Sequence, residues 1–219
     1  MGKAATADPP PRVRERLSRD ERKRQIIEAA TALFQERAYA DVSLDEIAER
    51  LNVTRTLINH HFGGKYELYL EVVRSVLSVD QIPIPDFVHG ATIADRAAYS
   101  LDGWFDNVER NPQVLLAAIR AGGGGDQVVA GIAEQARENV AQRFIAVLGL
   151  GPLEHVTRSE MGVVRSWVGL GEAATVQWIE FGRLTREEAR ELILGVVVPG
   201  TTQMLEAREH GRKQRSRST

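Results

Sequence analysis

An all-α fold is predicted for this chain, with an N-terminal three-helix helix-turn-helix domain followed by a larger helical domain. Apolar residues recur at intervals of three and four through most of the sequence, which is the spacing of one helix face. Several of these stretches open with Ser or Thr followed three residues later by Glu, the side chains of a helix capping box. These pairs are Ser18–Glu21, Ser43–Glu46, Thr157–Glu160 and Thr185–Glu188.

The apolar run Leu192–Val198 also fits a buried strand when its periodicity is considered alone. The capping box upstream of the run and the lack of a partner strand favour a helix. We expect Pro199 and Gly200 to kink or break that helix, because proline lacks the N–H group that the helix requires.

The composition excludes several classes of protein. The 219 residues include no cysteine, which rules out disulfides, thiol nucleophiles and cysteine-based zinc or iron–sulfur sites. The apolar runs fall short of the roughly 18 residues of a membrane span. Because the N-terminus also lacks the apolar core of a signal peptide, the sequence predicts a cytoplasmic protein.

The net charge of −2 conceals an uneven distribution along the chain. Residues 81–207 carry 10 basic and 16 acidic side chains, whereas residues 208–219 carry 5 basic and 1 acidic. Residues 12–24 contain 7 bases and 3 acids, and residues 51–66 contain no acid. Positive charge is therefore local, as phosphate contact requires, although a basic run is also typical of a solvated surface.

These patterns divide the chain into four segments. They are a flexible basic arm over residues 1–17, a helix-turn-helix domain over residues 18–80, a second helical domain over residues 81–207 and a disordered basic tail over residues 208–219. The arm either reaches a minor groove or flanking phosphates, or it only solubilises the chain. The boundary near residue 80 follows a helix that starts at Lys65 and is ended by Pro83 and Pro85.

Residues 43–62 have the layout of a helix-turn-helix. Ser43 caps a short helix, Asn52 lies in a tight turn, and Thr54 caps a second short helix. In this arrangement the first helix packs across the second. The second helix lies in the major groove of DNA, with its N-terminal residues at the base edges.

The predicted base contacts are Arg55, Thr56 and Asn59, which point outward if Leu57 and Ile58 face the core. Arginine reads guanine O6 and N7 through two hydrogen bonds, and asparagine reads adenine N6 and N7 in the same way. Thr56 suits a base edge or a thymine methyl group.

The predicted phosphate contacts are Ser43, Thr54, His60 and Lys65. The first two lie at helix N-termini, where a hydroxyl and backbone N–H groups point toward an anion. The other two are placed for the sugar–phosphate backbone rather than for the bases. Double-stranded DNA is therefore the predicted partner.

Short segments within residues 18–79 keep a characteristic order and spacing. They are Ile26–Phe34, Val42–Ala48, Val53–Arg55 and His61–Lys65, with Leu68. In these segments the chain resembles the N-terminal domain of TetR-family transcriptional regulators. The resemblance implies a ligand-responsive homodimeric repressor. It also implies that residues 81–207 bind a small-molecule effector and dimerise through the last two long helices.

One position departs from the family pattern. Asn59 stands where the family usually has Tyr, just before His60 and His61. The DNA contacts made by that Tyr are therefore not carried over, and Asn59 is expected to alter the base preference. The homodimer that the resemblance implies would bind a palindromic operator, because two-fold protein symmetry is mirrored in the DNA site.

Six residues are candidates for the wall of an effector cavity because of their rings or charge. They are Tyr99, Trp104, Phe105, Arg120, Phe144 and Trp167. Aromatic residues at helical spacing are also typical of a plain core. Arg120 lies beside the Gly122–Gly125 loop, where it either pairs with an anionic ligand or remains a surface charge.

The sequence predicts no cofactor, no metal and no enzymatic activity. Gly169–Ala174 satisfies Gly-x-Gly-x-x-Ala, but that dinucleotide fingerprint requires a preceding strand and here lies in a helical stretch. The 5 histidines show no metal-ligand spacing. No catalytic triad or carboxylate pair is evident.

Three other functions remain open. An all-helical small-molecule-binding or interaction protein with a vestigial helix-turn-helix would share this pattern. So would an all-α enzyme that uses the cavity of the second domain. An activator is equally compatible, because DNA binding alone does not set the sign of regulation.

Overall fold

The computed structural model describes residues 18–78 and 91–217. These residues form nine α-helices and no strand, which confirms the predicted all-α fold. The N-terminal domain contains α1 (Arg19–Glu36), α2 (Leu44–Leu51), α3 (Arg55–Phe62) and α4 (Lys65–Leu77). The second domain contains α5 (Ile93–Arg110), α6 (Pro112–Ala121), α7 (Gln127–Val147), α8 (Arg158–Thr175) and α9 (Arg186–Arg217).

Side-chain caps fix where the first helices begin. The Ser18 hydroxyl accepts the Glu21 N–H at 3.2 Å, and the Glu21 carboxylate accepts the Ser18 N–H at 2.8 Å, so the predicted capping box is complete. At α2 the Ser43 hydroxyl accepts the Glu46 N–H at 3.1 Å. The Glu46 carboxylate pairs with Arg37 instead of returning to Ser43, so only half of the predicted box forms there.

The turn between α2 and α3 depends on one residue. Asn52 adopts φ 51° and ψ 51°, the left-handed conformation that asparagine tolerates better than most residues. Its N–H bonds the last carbonyls of α2, and α3 begins three residues later. This short connection holds the two helices across each other, as the sequence predicts.

The first core lies where α1 packs against α2 and α4. Its largest fully buried side chains are Ile26, Phe34, Ile47, Ile58 and Leu68. The same cluster continues into residues of α6 and α7, which pack on α1 and α4. The N-terminal domain is therefore joined to the second domain through a continuous apolar contact.

The second domain is organised around α9, which packs on α5 and α8, while α7 packs on α6 and α8. The apolar run Leu192–Val198 lies within α9, so the choice of helix over strand is confirmed. Of the kink or break predicted at Pro199, the break is wrong, because α9 continues through it to Arg217. Val197 and Thr201 are buried on either side of the exposed proline, and this packing offsets the hydrogen bond that proline removes.

The predicted glycine loop is present, and it is followed later in the chain by a turn that the sequence did not predict. Gly122–Gly125 forms the loop between α6 and α7, and Asp126 caps α7 by accepting the N–H groups of Val128 and Val129. The end of α8 passes into a π-helical turn, Val176–Glu180, which carries Trp178. The Trp178 ring stands edge-on to Phe105 with centroids 5.1 Å apart.

The disordered tail predicted from residue 208 onward is wrong for residues 208–217, which continue α9. Arg208 anchors this end because its guanidinium bonds both oxygens of Glu160, at 2.6 and 2.8 Å, and the Leu150 carbonyl. The predicted arm over residues 1–17, and the predicted end of the Lys65 helix at residues 79–85, lie outside the described residues.

Within residues 18–78 and 91–217, no helix is long and apolar enough to cross a membrane. The same residues bring together no cluster of three metal-ligating side chains.

Candidate nucleic-acid interface and ligand cavity

Helix α3 presents a polar face to solvent and an apolar face to the core. The Thr54 hydroxyl accepts the Leu57 N–H at 3.2 Å, as predicted for its cap. Ile58 is fully buried and Leu57 half-buried, whereas Arg55 and Thr56 are exposed. Leu57 and Ile58 are thus turned away from solvent, as the sequence predicts.

Asn59, in the same helix, is half-buried, and its neighbour His60 is exposed. Asn59 is therefore the most enclosed of the three predicted base contacts. Its contact with a base would need the edge of the groove to come close to the helix.

Arg55 is held by an acidic neighbour that the sequence did not point to. Its Nη1 lies 3.0 Å from Oδ2 of Asp45, and both side chains are more than half exposed. Asp45 lies in the first turn of α2, so this pair joins the two helices of the helix-turn-helix across their exposed side. The guanidinium has to leave or share this partner when it reaches a base.

Three of the four phosphate-contact candidates lie at helix starts, and the fourth, His60, lies in the last turn of α3. Ser43 and Thr54 are exposed N-caps of α2 and α3. Lys65 is the first residue of α4, and its Nζ lies 3.4 Å from the Ala40 carbonyl oxygen and 4.3 Å from the centroid of the Tyr39 ring. This contact brings the start of α4 close to the segment that precedes α2, so Lys65 lies near the Ser43 end of the surface.

The paired histidines differ in environment. His61 is half-buried, and burial lowers its pKa, with His60 and the bases Arg19, Arg22 and Lys23 acting in the same direction. The ring centroids of His61 and Phe62 are 6.2 Å apart. His61 therefore packs beside Phe62, and exposed His60 is the one available to a phosphate.

A cavity of about 90 Å³ lies in the second domain, between α5, α6, α7 and α8. Trp104, Phe144 and Trp167 line it, so the structure brings together three of the six predicted cavity residues. Most of the wall is apolar, and its described polar side chains are Ser100, Arg137, Arg143 and Glu172.

The other three candidates lie outside this wall. Tyr99 is 46% exposed, on the solvent side of α5. Phe105 is fully buried and packs on Trp178. Arg120 is exposed, pairs with Glu180 and borders a second, shallower depression next to Tyr66 and Asp126.

Two polar contacts organise the cavity wall. Arg137 Nε donates to both carboxylate oxygens of Glu172, at 2.8 and 3.0 Å. Burial raises the pKa of Glu172, although the positive charge of Arg137 opposes that shift. Trp104 Nε1 donates to the buried Thr175 hydroxyl at 3.1 Å, and that hydroxyl donates to the Gly171 carbonyl at 2.9 Å.

Two sequence patterns of known families match this chain. The pattern described as bacterial regulatory proteins of the tetR family matches residues 26–72, which include the helix-turn-helix. The pattern described as a tetracyclin repressor-like C-terminal domain matches residues 93–200, which include the cavity. The chain belongs to the TetR family. The TetR family is a family of helix-turn-helix transcriptional regulators.

Two transcriptional regulators are similar in sequence to part of this TetR-family chain. The HTH-type transcriptional activator FasR of Mycolicibacterium smegmatis is 33% identical over 106 residues, which cover 45% of each chain. The HTH-type transcriptional regulator HbdR of Aromatoleum sp. is 36% identical over 103 residues, covering 47% of this chain and 45% of its own. The match thus spans less than half the length of either relative.

A TetR-family regulator from Streptomyces coelicolor has a similar solved structure. It superposes with a TM-score of 0.69 at 25% identity, covering 86% of this chain and 82% of its own. The likeness therefore extends over both domains, beyond the region in which the sequences of the relatives align.

In this TetR-family protein a chain of amides joins the two domains. Gln35 Nε2 in α1 donates to Asn111 Oδ1 at 2.9 Å, and Asn111 Nδ2 donates to Asn107 Oδ1 at 2.8 Å. Asn107 Nδ2 in turn donates to the Val76 carbonyl in the last turn of α4 at 3.0 Å. The next residue, Leu77, lies in the cavity wall.

A second polar contact joins the domains near the start of α4. The Tyr66 hydroxyl donates to Asp126, with its oxygen 2.8 and 3.0 Å from the two carboxylate oxygens. This hydrogen bond raises the pKa of Tyr66. The pKa of Asp126 is lowered, first by the Val129 N–H that it accepts and then by Tyr66.

Sequence reasoning missed Asp45, Glu172, Tyr66 and the three amides. The paired residues are separated by 10 positions for Asp45 and Arg55, and by 76 for Gln35 and Asn111. Helical periodicity reports which face of a helix is apolar, but it does not report which polar residues meet between helices. Of these residues only Asn111 has a local signal, since the proline that follows it is typical of the first residue of a helix.

Proposed function

We propose that the chain is a ligand-responsive repressor that binds a palindromic operator as a homodimer. The observation that carries this proposal is the position of α4. Its first residue, Lys65, lies on the candidate DNA surface, and its last residue, Leu77, lines the cavity. A ligand that displaces Leu77 would move the helix on which the DNA-binding domain is mounted.

On DNA, each protomer would place α3 in the major groove. Arg55 would leave Asp45 to bind a guanine, with Thr56 and Asn59 beside it. The capped starts of α2 and α3, together with His60 and Lys65, would contact phosphates. The recognition helices of the two protomers would lie roughly 34–36 Å apart, one helical turn of DNA.

The dimer would form through α8 and α9. On α8 a stripe of exposed residues carries mostly small side chains: Ser159, Gly162, Val163, Ser166, Gly169 and Ala173. On α9 the exposed apolar residues include Leu192, Gly195, Val196 and Pro199. A Cβ added at Gly162, Gly169 or Gly195 would meet nothing within 4 Å, so these faces are open to a partner helix.

Ligand binding would act by shifting a conformational equilibrium. One state of α4 would hold the two recognition helices at operator spacing, and the other would not. The ligand would release DNA only to the extent that it binds the second state more tightly. The amide chain that ends on Val76 and the contact between Tyr66 and Asp126 would transmit the change, since both hold α4 against the second domain.

Selection of bound DNA from a genomic library by the full-length purified chain tests the proposal. We expect an enriched inverted repeat whose half-sites are roughly 10 base pairs apart, bound by two protomers. Operator recognition would be overturned if the enriched sites lacked inverted symmetry. It would also be overturned if all DNA sequences were bound alike and binding disappeared at moderate salt, because such binding depends only on charge.

A reporter driven by a promoter that contains the selected site tests the sign of regulation. A repressor lowers reporter expression when the chain is supplied. The relative named a transcriptional activator makes this measurement necessary, and increased expression would replace repression with activation.

A further inference from the structure

The cavity of the second domain is small and aromatic. Its volume is about 90 Å³, and Trp104, Phe144 and Trp167 contribute rings to its wall. An apolar protein cavity of roughly 150 Å³ accommodates one benzene molecule. This cavity is smaller than that, so a molecule with a single ring enters it only if the wall, which includes Leu77, yields.

The charged side chains in the wall already have interactions within the protein. Arg137 forms two contacts with Glu172 through Nε, and its Nη1 lies 3.2 Å from Glu134. Arg143 also takes part in an interaction with its surroundings. A charged ligand would lose its hydration on entering an apolar cavity whose ionic groups are already engaged, and that loss is costly.

Ser100 is a buried polar residue in the wall that lacks a partner among the described residues. Its side chain is 8% exposed, and its Oγ has no hydrogen bond among the described residues. A buried hydroxyl without a partner is unfavourable, so an oxygen on a ligand would restore a hydrogen bond that the protein itself does not supply. Ser100 and Trp104 are one helical turn apart on α5, so this hydroxyl and the Trp104 ring lie on the same face.

We propose that the cavity binds a compact, uncharged molecule with one ring and one hydroxyl or carbonyl oxygen, which Ser100 Oγ hydrogen-bonds. This inference rests on the proposed function, which makes this cavity the effector site. It adds the chemical class of the effector: neutral rather than ionic, and aromatic or similarly compact.

Four probes of similar size separate the alternatives: benzyl alcohol, toluene, benzoate and benzylammonium. Their affinities for the full-length chain, without DNA, are measured by calorimetric titration near neutral pH. We expect benzyl alcohol to bind about tenfold more tightly than either ion, because only the ions lose ionic hydration. Preference for benzoate or for benzylammonium would overturn the proposal, as would a lack of binding by all four probes.

Two variants locate the binding. In Ser100→Ala, the advantage of benzyl alcohol over toluene should fall by about two- to tenfold while toluene affinity stays constant. A Cβ at Gly171, in the wall, meets nothing within 4 Å, so Gly171→Leu should fill the cavity without a backbone clash and abolish binding. Gly131→Leu, at an exposed open position on α7, is the matched control and should bind like the parent. An unchanged alcohol-to-toluene ratio in Ser100→Ala removes Ser100 from the site.

A separate DNA titration distinguishes failure of the ligand class from failure of the proposed function. If benzyl alcohol binds as described but leaves operator affinity unchanged at saturation, the cavity chemistry stands and the effector role fails. If the operator is bound specifically but the probes show no preference for the neutral molecule, DNA recognition stands and the ligand class fails.

Discussion

The amide of Gln35 donates to the side-chain oxygen of Asn111 at 2.9 Å, across the contact between α1 and α6. Asn111 is almost fully buried, and its own amide nitrogen donates to the side chain and the backbone carbonyl of Asn107. A residue placed to start α6 therefore serves as the polar centre of the domain contact. Its side chain does not cap the helix that it precedes.

Replacing Asn111 by Ala should lower the free energy of unfolding by about 1–3 kcal/mol, because the Gln35 and Asn107 amides lose buried partners. Urea unfolding of the full-length chain measures this change. Gln113→Ala, at an exposed position on the same helix, is the control and should change stability by no more than about 0.5 kcal/mol. Equal stability of the two variants would mean that the amide chain contributes nothing.

Much of this fold follows from helical periodicity and capping residues. Ile26, Phe34 and Leu68 are apolar at helical spacing, and their burial against neighbouring helices is what that spacing predicts. The register of α3 follows for the same reason, since burying Ile58 leaves Arg55 exposed. Local pattern thus determines which face of each helix is apolar.

Which side chains meet between different helices was not predictable in the same way. Phe105 and Trp104 are adjacent on α5, yet one lies in the core and the other lines the cavity. Which of the two faces the cavity depends on how α5 crosses α8 and α9, and no local pattern encodes that crossing. The tail prediction failed for a related reason, because charge composition gave no sign that Arg208 would meet Glu160.

Replacing Arg55 by Ala should weaken operator binding by about 1–3 kcal/mol and relax the sequence preference. The physical reason is the loss of a guanidinium that reads a base through two hydrogen bonds. Gel shift with operator and with random DNA measures both effects. Arg110→Ala removes the same charge from an exposed site at the end of α5 and should leave both affinities as in the parent. If Arg55→Ala discriminates as well as the parent, Arg55 does not read a base.

Replacing Val196 by Glu should convert the proposed dimer to a monomer. Val196 is 44% exposed on α9, within the stripe assigned to the partner helix, where a buried carboxylate would have no counter-ion. Sedimentation velocity measures the change in mass. Val128→Glu places the same charge at a valine that is 47% exposed on α7 and should stay dimeric. Persistence of the dimer in Val196→Glu would move the interface elsewhere.

Replacing Gly200 by Ala should destabilise the protein although alanine is the better helix former. A Cβ there would lie 2.8 Å from Cζ2 of Trp167, whose indole is almost fully buried and lines the cavity. Forcing the ring aside costs about 1–3 kcal/mol, more than the roughly 1 kcal/mol gained from helix propensity. Thermal unfolding with Gly131→Ala as control checks this sign, because that open site should gain stability. A gain at both positions would show that Trp167 yields freely.

Replacing Glu160 by Gln should reduce stability near neutral pH and make the protein less sensitive to acid. The hydrogen bond from Arg208 lowers the pKa of Glu160 from its usual 4.5 to about 2. A carboxylate with a depressed pKa stabilises the folded state above its ordinary pKa, and this contribution is lost as the pH falls toward the folded value. The stability difference between parent and Glu160→Gln should therefore shrink as the pH falls from about 7 to about 3.

Urea unfolding across this pH range measures the stability difference, with Glu154→Gln, at an exposed carboxylate, as control. A difference that stays constant with pH would mean that the Arg208 contact does not depend on the charge of Glu160.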